Sequence, residues 1–145
     1  MAFRFPLATV LRVKENIEER EERALQKIQL EMERVRREIE ELSAHLEKAH
    51  DAREQAMQRT IPAGHLHTML WEARAAAEKK KALLHTLQIL EEQRDQQMKA
   101  YQAAHRDRET LTGMFDEQRD AYEQEQTRTQ QKHLDDIFVA RRQRN

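Results

Sequence analysis

The sequence predicts an all-α protein, a long antiparallel two-helix coiled coil (a helical hairpin) whose second helix overhangs at its C-terminal end. Three observations carry this. From Leu25 to Ala49 the apolar residues Leu25, Ile28, Met32, Val35, Ile39, Leu42, Leu46 and Ala49 follow at steps of three and four without a miss. That spacing lays one narrow seam along a helix, and such a helix needs a partner to cover it. The composition is that of helices: 37% of the 145 residues are charged and 5% aromatic, with two Gly and two Pro. Finally, the only internal Pro, Pro62, stands beside Gly64 between two periodic stretches.

The chain opens with a short lead-in, residues 1–5, carrying two exposed aromatics, Phe3 and Phe5. Pro6 suits the first position of a helix, where its missing N–H is no loss. Helix 1 is expected from about residue 6 to 59. Its early seam is Leu7, Val10, Leu11, Ile17, Ala24 and Leu25, interrupted by Lys14 and Glu21. The best steps from Ile17 to Ile28 predict a stutter that locally unwinds the supercoil. The segment Thr60-Ile61-Pro62-Ala63-Gly64 is the expected turn. Pro62 disfavours helix at Ile61, and Gly64 tolerates the left-handed conformation that a reversal uses.

Helix 2 is expected from about residue 65 to 140, with a seam of Leu66, Leu70, Ala73, Ala77, Leu84, Leu87, Leu90, Met98, Tyr101, Leu111, Phe115 and Tyr122. Lys80, Arg94 and Arg108 also occupy seam positions, their stems packing while their charges reach water. Folding back at Pro62 sets Ile39 against Leu87, Val35 against Leu90, Ile28 against Met98, Leu25 against Tyr101 and Leu11 against Phe115. Helix 1 then runs out of partners near Tyr122. From Glu123 to His133 no residue is apolar, after which Leu134, Ile137 and Phe138 return at i, i+3 and i+4, followed by Arg141, Arg142 and Arg144. An apolar patch without an intramolecular partner points to a binding surface.

Several function classes are excluded or weakened. The formal net charge of −1 gives no case for nucleic acid as the main partner. No cysteine is present, so there is no disulfide framework and no Cys metal site. No apolar run approaches the roughly 20 residues of a membrane helix, and the N-terminus lacks the apolar stretch of a secretory signal. The expectation is a soluble protein kept inside the cell. No Gly-rich phosphate loop, Gly-x-Ser-x-Gly or His-Glu-x-x-His occurs. Two paired helices also enclose no pocket that could exclude water. The chain therefore reads as a non-enzyme without cofactor or metal.

Other features have plain and sharper readings. His65 and His67 are exposed histidines at a helix start, or a metal pair lacking a third ligand. Trp71 either flanks the seam and covers the turn end, or is an exposed anchor for a partner. Lys79, Lys80 and Lys81 form a solvated face or a short basic track. Gly113 is a tolerated exposed glycine or a hinge. The Arg-rich tail is disordered or docks on an acidic surface.

Phe3-Arg4-Phe5-Pro6-Leu7, then Val10-Leu11-Arg12-Val13-Lys14 before a long Glu/Arg/Gln-rich helix, resembles the start of FliJ-family proteins. Lys132-His133-Leu134-Asp135-Asp136 and Ala140-Arg141 resemble that family's closing segment, and the likeness covers the whole length. The resemblance implies the stalk component of the bacterial flagellar type III export apparatus. Such a stalk inserts its paired termini into the pore of the hexameric export ATPase, promotes ring assembly, contacts the export gate membrane protein and escorts export chaperones. Its place would be cytoplasmic, at the cytoplasmic face of the inner membrane, without membrane insertion. Carried onto this chain, the ATPase-facing tip is Phe3, Phe5, Leu7, Leu11, Leu134, Ile137 and Phe138, and the gate-facing surface lies around Met69 and Trp71. A self-associating cytoplasmic scaffold is the alternative.

Overall fold

The computed structural model describes residues 2–144; Met1, the first residue of the lead-in, and Asn145 lie outside them. Among the described residues the fold is two α-helices and no strand, α1 over Ala8–Met57 and α2 over Ala63–Arg144. It is an all-α helical hairpin. The chain divides into two compact units. The turn unit is Glu21–Ala100, and the terminal unit is Met1–Arg20 with Tyr101–Asn145.

In the turn unit α1 ends over Gln58 and Arg59, whose N–H groups donate to the carbonyls of Glu54 (3.3 Å) and Ala56 (3.1 Å). α2 then starts on the Pro62 carbonyl, which accepts from His65 at 3.0 Å and Leu66 at 3.3 Å. Pro62 thus caps the second helix, a place where its own missing N–H is harmless. No described residue, glycine included, has a positive φ. The expected left-handed role of Gly64 is therefore corrected: Gly64 lies inside the first turn of α2, and the reversal is made by residues 58–62.

The α1 face of this unit buries Leu25, Met32 and Val35, the last two only 2% exposed. Ile28, Ile39, Leu42, Leu46 and Ala49 are half-buried beside them. Burying each large aliphatic side chain contributes about 1.5–3 kcal/mol. On α2 the less exposed positions run Leu66, Met69, Ala73, Ala76, Lys80, Leu83, Leu87, Leu90, Arg94 and Gln97, an unbroken alternation of three and four.

This corrects the expected α2 seam. Leu84 is 47% exposed, and Leu70 and Ala77 also face outward, while Leu83, Met69 and Ala76 take the inward places. One residue is about 100° of helix rotation. The seam runs through Lys80 as expected, and its steps of three and four from there fall on Ala76 and Leu83, each one residue from the expected Ala77 and Leu84. Arg36 meets Glu91 at 4.0 Å across the seam, and Gln97 Nε2 donates to the Glu21 carbonyl at 3.1 Å and to the Glu21 carboxylate.

In the terminal unit the partly buried residues of α1 are Leu11, Lys14, Ile17 and Glu18, with Leu7 just before the helix. Those of α2 include Tyr101, Ala104, Arg108, Leu111, Phe115 and Tyr122, with Ala104 fully buried. The stutter expected after Ile17 is not needed. Glu18 supplies the missing place, so Leu11, Lys14, Glu18, Glu21 and Leu25 keep steps of three and four along α1.

Candidate functional site

The seven residues expected at one tip separate into two groups. The first group is packed. The chain before α1 lies against α2, and the Phe5 carbonyl accepts from Ala8 N–H at 3.2 Å as the helix opens. Phe5 is only 6% exposed and meets Phe115 edge-on, with ring centroids 5.3 Å apart. Phe3 is half-buried between Phe115 (5.5 Å) and Tyr122 (5.6 Å). The Arg119 guanidinium stands 5.8 Å from the Phe115 ring centroid, within cation–π range.

Phe3 and Phe5 are therefore not the exposed aromatics that their position before the helix implied. Phe115 lies beside the first turns of α1 and Tyr122 beyond its start, and the lead-in folds over both to remove their rings from water. Leu7 and Leu11 are half-buried in the same unit.

The second group is open. All residues of α2 from Glu123 to Arg144 are exposed. Leu134 is 55% exposed and Phe138 68%, with Ile137 between them in the chain at 39%. Val139 is exposed as well, but it lies two residues past Ile137, about 200° round the helix, and so is not on the face of the other three. The helix closes on Arg141, Arg142 and Arg144, cations that suit its negative C-terminal dipole. The patch has the wrong phase for the hairpin seam. Beyond Tyr122 the three-and-four alternation falls on Glu125, Thr129, Lys132 and Asp136, all polar. On a straight helix Leu134, Ile137 and Phe138 centre about 110° round from Tyr122.

In the turn unit the expected pair Met69 and Trp71 also divides. Met69 is half-buried on the seam. Trp71 is 68% exposed and, with Leu70, Arg53, His67 and Arg74, lines an open groove of about 470 Å³. It does not cover the turn. Among the described residues no group of three or more His, Cys, Asp or Glu is arranged to hold a metal.

One charged cluster escaped the sequence reading. In the terminal unit Arg108 Nε and Nη2 donate to the two carboxylate oxygens of Glu18, at 2.5 and 3.3 Å, and His105 Nδ1 lies 2.8 Å from Glu18 Oε1. The hydrogen bond from Arg108 is the main force holding the Glu18 carboxyl below its ordinary range, with His105 adding to it against desolvation. The same pairing raises the Arg108 guanidinium. The signal was available: Glu18 lies four residues after Lys14 and three before Glu21, on the seam.

No helix of the described residues is long and apolar enough to cross a membrane. The chain matches no curated protein and no solved structure. The family model described as Flagellar FliJ protein matches residues 3–145, essentially the whole chain. With a helical hairpin, an unpaired apolar helix end and a full-length match in hand, the chain belongs to the flagellar FliJ family, whose members are export-apparatus components and not enzymes.

Proposed function

We propose that this chain is the coiled-coil stalk of the flagellar export machinery. It binds the pore of the hexameric export ATPase, promotes assembly of that ring, and links it to the export gate and to export chaperones. The observation that carries the reading is the exposed strip of Leu134, Ile137 and Phe138 on a helix end with no intramolecular cover among the described residues. Apolar residues set at helical spacing and left in water suit a helix-in-groove contact. Family membership identifies the machinery in which the groove is to be sought.

In this reading Phe3, Phe5, Leu7 and Leu11 brace the base of the contact from within, and the α2 end makes it. Trp71, with Leu70 beside it, is the proposed gate contact, Met69 anchoring that turn of helix from behind. The work is done in the cytoplasm, at the cytoplasmic face of the inner membrane.

The test is co-purification of the export ATPase with the full chain and with the double variant Ile137→Ala, Phe138→Ala. Binding should be lost with helix content unchanged. Full binding by the double variant would refute the assignment, and a loss of helicity would make the patch part of a core. Mass in solution bears on the alternative: a stalk is monomeric or weakly associated, whereas a self-associating scaffold is a stable dimer or larger.

A further inference from the structure

The α2 seam carries a basic residue at every second heptad, namely Lys80, Arg94 and Arg108. In the turn unit the first two have no acidic seam residue opposite. Lys80 shares an open groove with Leu46, Glu47 and His50, and Arg94 shares one with Met32 and the off-seam Glu33 and turns back to Asp95 of its own helix at 3.1 Å. In the terminal unit Arg108 is different, because it finds Glu18 on the facing helix and holds it with two prongs. The layer is shielded: the Glu18 side chain is only 15% exposed. It is also buttressed. His105 bridges Glu18 at 2.8 Å and Glu109 at 3.1 Å, Tyr101 stacks on the His105 ring at 5.9 Å, and Lys14 meets Asp107 at 3.4 Å.

An apolar seam of period seven does not choose its own alignment, because a shift of one heptad sets the same kind of positions face to face. Charge breaks that degeneracy. Shifting α1 one heptad along α2 in either direction would set Glu18 against Tyr101 or Phe115 and Arg108 against a leucine, Leu11 or Leu25. Both charges would then sit in a shielded layer without a partner.

We propose that the Glu18–Arg108 layer is a register lock: it fixes the single alignment of the two helices in the terminal unit and excludes heptad slips there. Its role is to select among alignments more than to add stability, because a paired charge in a seam adds little over apolar residues of similar size. The depressed Glu18 carboxyl agrees with a pair held in one geometry.

The chain has no cysteine, so cross-linking introduced cysteines with a short bismaleimide reads the register directly; a disulfide would be too short, because Lys14 and Asp107 meet at the ends of their side chains. Lys14→Cys with Asp107→Cys reports the observed alignment. Lys14→Cys with Met114→Cys and Leu7→Cys with Asp107→Cys report one-heptad slips in the two directions. In the otherwise native full chain only the first pair should close. In a Glu18→Leu, Arg108→Leu background helix content should persist, and closure of the slipped pairs should rise by about tenfold or more. Reversing the charges with Glu18→Arg and Arg108→Glu should restore the single alignment.

Trapping confined to the Lys14–Asp107 pair in the double-leucine background would overturn the proposal, because the register would then be set elsewhere. Unfolding of that background would also overturn it, by making the layer a stability element. So would slipped closure in the charge-reversed chain.

Discussion

Replacing Phe5 by alanine separates a brace from a binding contact. Phe5 is 6% exposed and packs edge-on against Phe115. Removing the ring exposes or empties about 150 Å² of apolar surface, worth roughly 4 kcal/mol at about 25 cal/mol per Å². A compact unfolded chain lowers this by some 10–40%, and the lost ring pair adds back about 0.5–1.5 kcal/mol. The expected loss is therefore about 3 kcal/mol, at the low end for a buried Phe→Ala change. The loss is also local. The lead-in can detach from α2 without the seam opening, so its effect is largest where it lies. Amide hydrogen exchange reads this by residue. Protection should fall on the order of 100-fold around Leu11 and Phe115, and amides at Met32 and Val35 should be unchanged. Phe138→Ala, at an exposed position, is the control and should move no amide. If Phe5→Ala leaves protection around Leu11 and Phe115 intact, or if Phe138→Ala reduces it equally, the division of the tip into a packed and an open half is wrong.

Gly113 lies inside α2, and a Cβ there would meet nothing within 4 Å. Gly113→Ala should stabilise by about 1 kcal/mol in thermal melting; destabilisation would revive the hinge. Val35→Asp places an unpaired charge at a 2% exposed seam position and should lower stability by at least about 3 kcal/mol in urea titration. Trp71→Ala should change the melting free energy by no more than about 0.5 kcal/mol while weakening capture of the export gate's cytoplasmic part. The Glu18 carboxyl is depressed in the folded chain, so its contribution is present above the ordinary carboxyl pKa of 4.5 and disappears as pH falls through the lowered value. Acid unfolding of Glu18→Gln followed by exchange in the terminal unit should therefore differ from the native chain at neutral pH and converge with it well below pH 4.5.

The hairpin was legible because the stretch from Leu25 to Ala49 writes its seam almost entirely in apolar residues. α2 was harder. Its seam passes through Lys80, Arg94, Gln97 and Arg108; Lys80, Arg94 and Arg108 are expected on it, but the apolar choices on either side of Lys80, namely Leu70, Ala77 and Leu84, step off the true line by one residue. The phase becomes visible when steps of three and four are counted from those polar residues, as Leu83 three residues after Lys80 and four before Leu87 shows. The reversal was located through Pro62, but its chemistry was not. A Pro-x-Gly sequence suggests a left-handed glycine, whereas the Pro62 carbonyl starts the helix and Gly64 is already in it. The open half of the candidate site was legible in a local i, i+3, i+4 pattern. The packed half was not, because nothing near Phe3 or Phe5 in sequence names Phe115 and Tyr122, more than a hundred residues away, as the rings they cover.

The phase of the C-terminal patch has a consequence for how α2 meets its partners. Had Leu134, Ile137 and Phe138 continued the alternation that ends at Tyr122, the same helix face would serve both the hairpin and any incoming surface, and the two would compete. The alternation instead runs on through Glu125, Thr129, Lys132 and Asp136. These residues give a second helix nothing to bury, so pairing of the α1 kind has no reason to extend along the overhang. The apolar residues are rotated away from that line, where contact with a partner leaves the Phe115 and Tyr122 layer untouched. A single side chain marks the boundary: Tyr122 is the last partly buried residue of α2, and it shares its ring contact with Phe3. Substitutions before it should therefore act through stability, and substitutions after it through binding. That separation depends on polar residues at positions 125 to 136 as much as on the apolar ones that follow.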